Sequence, residues 1–71
     1  MERRAIAELI SEAERLLNGS LVRVEEERQI IARRKAIGAD LSESMELLKN
    51  LQIRIEVRRQ RLRLLRRWLA Q

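Results

Sequence analysis

The sequence predicts an all-α protein: an antiparallel two-helix hairpin that dimerises into a four-helix bundle. Three observations support this fold class. Apolar residues recur at helical spacing in both halves of the chain, proline is absent, and one helix-stop signal is followed at once by a helix-start signal. We expect the 71 residues to form a single domain, residues 1–71, with helices at 2–37 and 41–69 and a turn at 38–40.

The turn is predicted from Gly38, Asp40 and Glu43. Gly38 suits the left-handed position just past a helix C-terminus, because a residue without Cβ is unstrained there. Asp40 is expected to N-cap the second helix, and Glu43, three residues later, would complete a capping box. The chain is therefore expected to reverse direction within a few residues.

The first helix contains one ambiguous segment, Asn18-Gly19-Ser20, which is an ordinary turn signal. Leu17 and Val24 keep the seven-residue period across it, so we expect one continuous helix. Gly19 should weaken that helix locally, because glycine lowers helix stability by about 1 kcal/mol relative to alanine. Two side-by-side columns predict an apolar stripe broad enough for a bundle core. These columns are Ile10-Leu17-Val24-Ile31 and Leu9-Leu16-Arg23-Ile30-Ile37.

The second helix is predicted from a column of residues spaced by sevens, Leu41-Leu48-Ile55-Leu62-Leu69. Residues 51–57 alternate between apolar and polar as a strand would, but no partner strand exists elsewhere and the flanks are strongly helical. We therefore expect helix throughout. In the coiled-coil pattern, the intervening d positions are Ser44, Leu51, Arg58 and Leu65.

A second apolar face is predicted on the same helix by four-, seven- and four-residue steps. A helix that is apolar on two faces usually has two partners, so we expect a homo-oligomer, with a dimer favoured. The alternative protein partner is a different protein to which the hairpin adds. The predicted interface residues are Ile53, Val57, Leu64 and Trp68.

The net charge of +5 lies mainly in the second half of the chain. Residues 38–71 carry eight basic and four acidic side chains, against eight and seven in residues 1–37. A basic stripe is typical of nucleic-acid binding, whereas the simpler interpretation is a solvated face paired in part with Glu8, Glu12 and Glu14. The basic patch consists of Arg54, Arg58, Arg59, Arg61, Arg63, Arg66 and Arg67.

Residues 11–51 resemble a group of small uncharacterised bacterial, chiefly proteobacterial, helical proteins. The similarity rests on four short motifs and implies an antiparallel hairpin with a Gly-x-Asp turn and an unbroken helix at Gly19. It implies no activity, because the group has no assigned function, and the Arg-rich end departs from its more even charge. The motifs are Ala13-Glu14-Arg15, Glu27-Arg28-Gln29-Ile30-Ile31-Ala32, Gly38-x-Asp40 and Leu47-Leu48.

The composition argues against enzymatic chemistry. Cys and His are both absent, which excludes disulfides, the usual zinc sites, Cys nucleophiles and His acid–base catalysis, and no cofactor is expected. No apolar run approaches the roughly 18 residues of a membrane span, so we expect a cytoplasmic protein. The predicted function is a non-enzymatic helical-hairpin interaction or oligomerisation module. The alternative is a small nucleic-acid-associated protein, and membrane binding is the least favoured.

Overall fold

Two long helices account for almost the whole chain in the computed structural model, which describes residues 2–71. Helix α1 spans Arg3–Ala36 and helix α2 spans Ser42–Ala70. They pack against each other in an antiparallel hairpin whose Cα atoms extend over 53 × 14 × 13 Å. The predicted all-α hairpin is confirmed, with each helix boundary within one residue of its predicted position. Met1, which belongs to the predicted domain 1–71, lies outside the described residues.

The turn begins with a Schellman motif. Gly38 has φ +73°, the left-handed conformation predicted for it. Its N–H donates to the carbonyl of Lys35 at 3.2 Å, and the N–H of Ala39 donates to the carbonyl of Arg34 at 3.0 Å. Both bonds satisfy carbonyls that the end of α1 would otherwise leave without partners.

The start of α2 differs from the predicted capping box. Leu41 holds the N-cap position and makes no side-chain cap, while Asp40 lies one residue earlier. The carboxylate of Asp40 accepts hydrogen bonds from Ser42, from the backbone N–H at 3.0 Å and from the hydroxyl at 2.8 Å. Asp40 therefore still accepts from the first turn of α2, but through an Asx turn in which Glu43 takes no part.

The two helices meet along a narrow seam. Its positions follow alternating steps of three and four residues, the a/d pattern of a two-stranded coiled coil, and every one is buried or half-buried. Helix α1 passes unbroken through residues 18–20, and residues 51–57 are helical, as predicted. The seam consists of Ile6, Ile10, Ala13, Leu17, Ser20, Val24, Glu27 and Ile31 in α1, of Leu41 at the N-cap of α2, and of Ser44, Leu48, Leu51, Ile55, Arg58, Leu62, Leu65 and Leu69 in α2.

One of the two predicted columns of α1 lies outside the seam of the hairpin. The column from Leu9 to Ile37 flanks the seam: Leu16 is 41% exposed and Ile37 is 80% exposed. The second column of the seam is instead Ile6, Ala13, Ser20 and Glu27. A single partner helix covers only a narrow stripe of α1, so the broad apolar surface of the sequence is only partly used within one hairpin.

The seam changes in character along its length. In the apolar half, at the open end, the buried residues form one cluster, Ile6, Ile10, Ala13, Leu62 and Leu65. The polar half runs from Ser20 to the turn. Its apolar cluster is smaller, Val24, Leu51 and Ile55, and its seam also buries Ser20, Glu27 and Ser44.

Candidate functional site

The predicted oligomer interface forms an exposed surface on α2. Ile53, Val57, Leu64 and Trp68 are 55, 59, 43 and 45% exposed, and we call them the outer apolar face. The first three point away from the seam because they lie outside its three- and four-residue steps, and Trp68 lies beside it. The hairpin thus leaves about half of the surface of each of these residues uncovered.

Trp68 lies at the open end of the hairpin. It lines a cavity of about 450 Å³ together with Arg3, Ile6 and Gln71. A guanidinium nitrogen of Arg3 donates to the carbonyl of Leu69 at 2.9 Å and ties the two termini together. Ile10 clusters with Leu62 and Leu65, while Leu69 occupies the seam position beside Trp68.

The seven arginines of the predicted basic patch are only partly neutralised. Arg63 lies 3.6 Å from Glu56, and Arg66 lies 3.8 Å from Glu14 across the hairpin. The second contact agrees with the prediction that Glu14 lies beside the basic end of α2. Elsewhere in residues 2–71 the structure shows no ion pair to this patch.

Glu12, another predicted partner of the basic end, pairs within its own helix. Its carboxylate accepts hydrogen bonds from the guanidinium of Arg15, including one from Nε at 3.0 Å. This hydrogen bond lowers the pKa of Glu12 and raises the pKa of Arg15. Because both side chains are exposed, the pair contributes little to stability.

One flank of the seam carries a groove in which arginine side chains converge. We call it the arginine groove: it has a volume of about 280 Å³ and is lined by Arg15, Leu16, Gly19, Ser20, Arg23, Leu51, Arg54 and Arg58. Arg58 occupies a seam position, and its Nε is buried without a hydrogen-bond partner. No carboxylate from the described part of the chain lines the groove.

The opposite flank has a different charge balance. Its cavity, of about 470 Å³, is lined by two carboxylates and two guanidinium groups, from Glu25, Glu56, Arg28 and Arg59. The two cavities lie at similar heights along the hairpin, since the seam residues Leu51 and Ile55 line one each. Acidic and basic side chains are therefore equal in number around the cavity on this flank, whereas the charged side chains that line the arginine groove are all basic.

Sequence reasoning missed part of the arginine groove. Arg54 and Arg58 belong to the predicted basic patch, but Arg23 was treated only as a gap in an apolar column. The signal that could have found it is the antiparallel register. Paired residue numbers sum to about 78, which sets Arg23 level with Arg54 and Ser20 level with Arg58.

Among residues 2–71, no group of three or more acidic side chains is placed to hold a metal ion. Neither of the two described helices combines the length and apolarity needed to cross a membrane.

Comparison with known proteins adds no relative: no protein-family model, curated protein or solved structure matches the chain. The resemblance of residues 11–51 to small bacterial hairpin proteins stays a prediction.

Proposed function

We propose that this protein is a non-enzymatic helical-hairpin interaction module that associates with a second copy of itself to form a four-helix bundle. The observation that supports this proposal is the outer apolar face, Ile53, Val57, Leu64 and Trp68, whose side chains are between 43 and 59% exposed. Apolar residues in register on one helix face are typical of a protein–protein contact.

The total accessible surface supports the same proposal. A compact monomer of 8.5 kDa would expose about 4,700 Å². The hairpin exposes 5592 Å², roughly 900 Å² more. A standard protein–protein interface buries about 800 Å² on each partner, so one such contact would remove the excess.

The apolar burial that a dimer would gain is similar in size to the cost of association. Full burial of one large apolar side chain contributes about 1.5–3 kcal/mol, and roughly half of that remains to be gained for side chains already half covered. The eight side chains of two outer apolar faces would therefore contribute roughly 6–12 kcal/mol, against an association cost of about 4–15 kcal/mol.

Two-fold symmetry is the expected arrangement, because identical patches can then cover each other. The experiment is a measurement of molar mass by light scattering at micromolar concentration. We expect the parent to have twice the monomer mass of 8.5 kDa. Val57→Glu should give the monomer mass, because a charge would be buried in the shared interface.

Val22→Glu is the matched control. Val22 is 58% exposed on α1, almost the same as the 59% of Val57, so both substitutions place a charge at an equally open valine. We expect the Val22 variant to remain dimeric. A parent that runs as a monomer and melts independently of concentration would contradict the proposal, as would equal dissociation of both variants.

The alternative function is a small basic nucleic-acid-associated protein. It is favoured by the charge distribution: in residues 2–71, five of the seven arginines of the basic patch form no ion pair. Salt dependence separates the two functions. Binding to phosphates weakens steeply as salt rises because counterions are released, whereas an apolar bundle interface does not weaken.

A further inference from the structure

The arginine groove concentrates positive charge that the described residues oppose at only one of its four arginines. Four guanidinium groups line it, and only that of Arg15 has an ion-pair partner, Glu12, among the described residues. Like charges near one another repel, and an anion bound between them would replace that repulsion with attraction. The opposite flank, with its two carboxylates, shows that the same pair of helices can balance its own charge.

Arg58 gives this charge a fixed position. It occupies a seam position between two buried apolar residues, Ile55 and Leu62, each about one helical turn away, so its aliphatic stem is held by the packing of the helices. Its Nε is buried and has no hydrogen-bond partner. A buried donor without an acceptor is unfavourable, and few native buried donors are left in this state.

The open space at Gly19 is a second observation that points to a ligand, after the unpartnered Nε of Arg58. A Cβ added at this position would meet no atom within 4 Å, so the packing of the hairpin does not require glycine. Glycine within a helix is destabilising relative to alanine. Its effect here is to leave the wall of the arginine groove open beside the α1 backbone, where a bound group could approach closely.

We propose that the arginine groove binds a phosphate-type oxyanion, with the guanidinium groups of Arg23, Arg54 and Arg58 as hydrogen-bond donors and with Gly19 providing space. The planar, always charged guanidinium group matches the oxygens of a phosphate, and several together favour a multiply charged anion. The volume of about 280 Å³ fits a group of the size of pyrophosphate. This site does not depend on self-association of the hairpin.

The test is calorimetric titration of the full chain with inorganic pyrophosphate at constant ionic strength. We expect binding by the parent and at least about tenfold weaker binding by Arg23→Gln and by Arg54→Gln, each of which removes a charged donor. Both residues are exposed, so these variants should keep the helical circular dichroism of the parent. Arg59→Gln, on the opposite flank, is the matched control and should bind as the parent does.

Gly19→Leu provides an independent variant. Leucine is a better helix former than glycine, so the helix is retained while the side chain fills the groove, and pyrophosphate binding should be lost. A short single-stranded oligonucleotide identifies the source of the phosphate. Tighter binding than pyrophosphate that is lost in the Arg54 variant assigns the groove to a nucleic-acid backbone, and weaker binding assigns it to a small phosphorylated molecule.

Two results would overturn the proposal. One is the absence of pyrophosphate and oligonucleotide binding by the folded parent. The other is an equal weakening of pyrophosphate binding in the Arg54 and Arg59 variants, which would mean that anion binding depends only on the net charge of the chain.

Discussion

The apolar half and the polar half of the hairpin are built on the same seam but differ in what they bury. The apolar half packs five buried apolar residues into one cluster, with Leu9, Leu17 and Leu69 against it. The polar half has a cluster of three buried apolar residues and also buries Ser20, Glu27 and Ser44. Because apolar burial is the main stabilising contribution, the hairpin is held most strongly at the end farthest from its turn.

This difference separates the stabilising apolar packing from the proposed anion site. Seam positions occupied by Ser20 and Arg58 add little apolar burial, yet they form part of the arginine groove. Near the turn, the local hydrogen bonds of Gly38, Ala39 and Asp40 offset part of the apolar burial that the polar half lacks. The seam can therefore contain polar residues in one half because the apolar packing of the other half is continuous.

The largest expected effect tests the apolar half. Leu65 is only 3% exposed, and Leu65→Ala should lower the free energy of unfolding by about 3–4 kcal/mol, through lost burial and the cavity left behind. Leu51→Ala, at a position 2% exposed in the polar half, should cost about 2–3 kcal/mol because its cluster is smaller. Urea denaturation measures both.

The neighbouring variant Leu64→Ala is the control for the first prediction. Leu64 is 43% exposed, so at protein concentrations low enough to keep the hairpin monomeric its loss should cost under about 1 kcal/mol. Equal costs for Leu65→Ala and Leu51→Ala would mean that the two halves contribute equally to stability.

A gain of stability should be obtained in the polar half. Glu27 holds a seam position and is 8% exposed, so Glu27→Leu should raise the free energy of unfolding by about 1 kcal/mol through added apolar burial. Glu26→Leu, at the exposed neighbouring position, should give no gain. A shift of the urea midpoint for Glu27→Leu alone would support this interpretation, and a loss of stability would show that the carboxylate is needed where it lies.

The smallest expected effect is the pH dependence of the turn. Hydrogen bonds from the backbone and hydroxyl of Ser42 hold the pKa of Asp40 below its ordinary value of 3.8. A carboxylate with a lowered pKa in the folded state stabilises the fold above its unfolded pKa and loses that contribution as pH falls through the folded pKa. Thermal melts should therefore show a small loss of stability below about pH 4.

Asp40→Asn is the control for the pH dependence, because the amide does not titrate. Its melting temperature should fall less than that of the parent between neutral and acidic pH. If the two proteins respond identically, Asp40 makes no contribution to the acid sensitivity of the hairpin.

Sequence reasoning predicted most of the fold because the signals were local or periodic. The left-handed Gly38 follows from the absence of a Cβ, and the seam of α2 follows from its seven-residue column. It did not identify the second seam column of α1. Leu9, Leu16 and Ile30 are more apolar than Ala13, Ser20 and Glu27, and the pattern alone favoured the more apolar set.

Of the two candidate sites, one was predicted from the sequence and the other was not. The outer apolar face was predicted residue by residue, since exposure on a helix follows from its period once the seam is known. The arginine groove was not predicted as a unit, because Arg23 and Arg54 come from different helices and lie 31 positions apart in the chain. Only the antiparallel register brings them to one flank.

The sequence by itself determined the helices, the turn and the seam of α2, because helix period, glycine conformation and apolar spacing act over a few residues. Only the tertiary structure decided which stripe of α1 faces α2, and therefore which side chains remain uncovered. The physical reason is that a single partner helix covers only one narrow stripe. When that stripe passes over Ile6, Ala13, Ser20 and Glu27, Leu16 is left at the flank and Arg23 is left in the arginine groove.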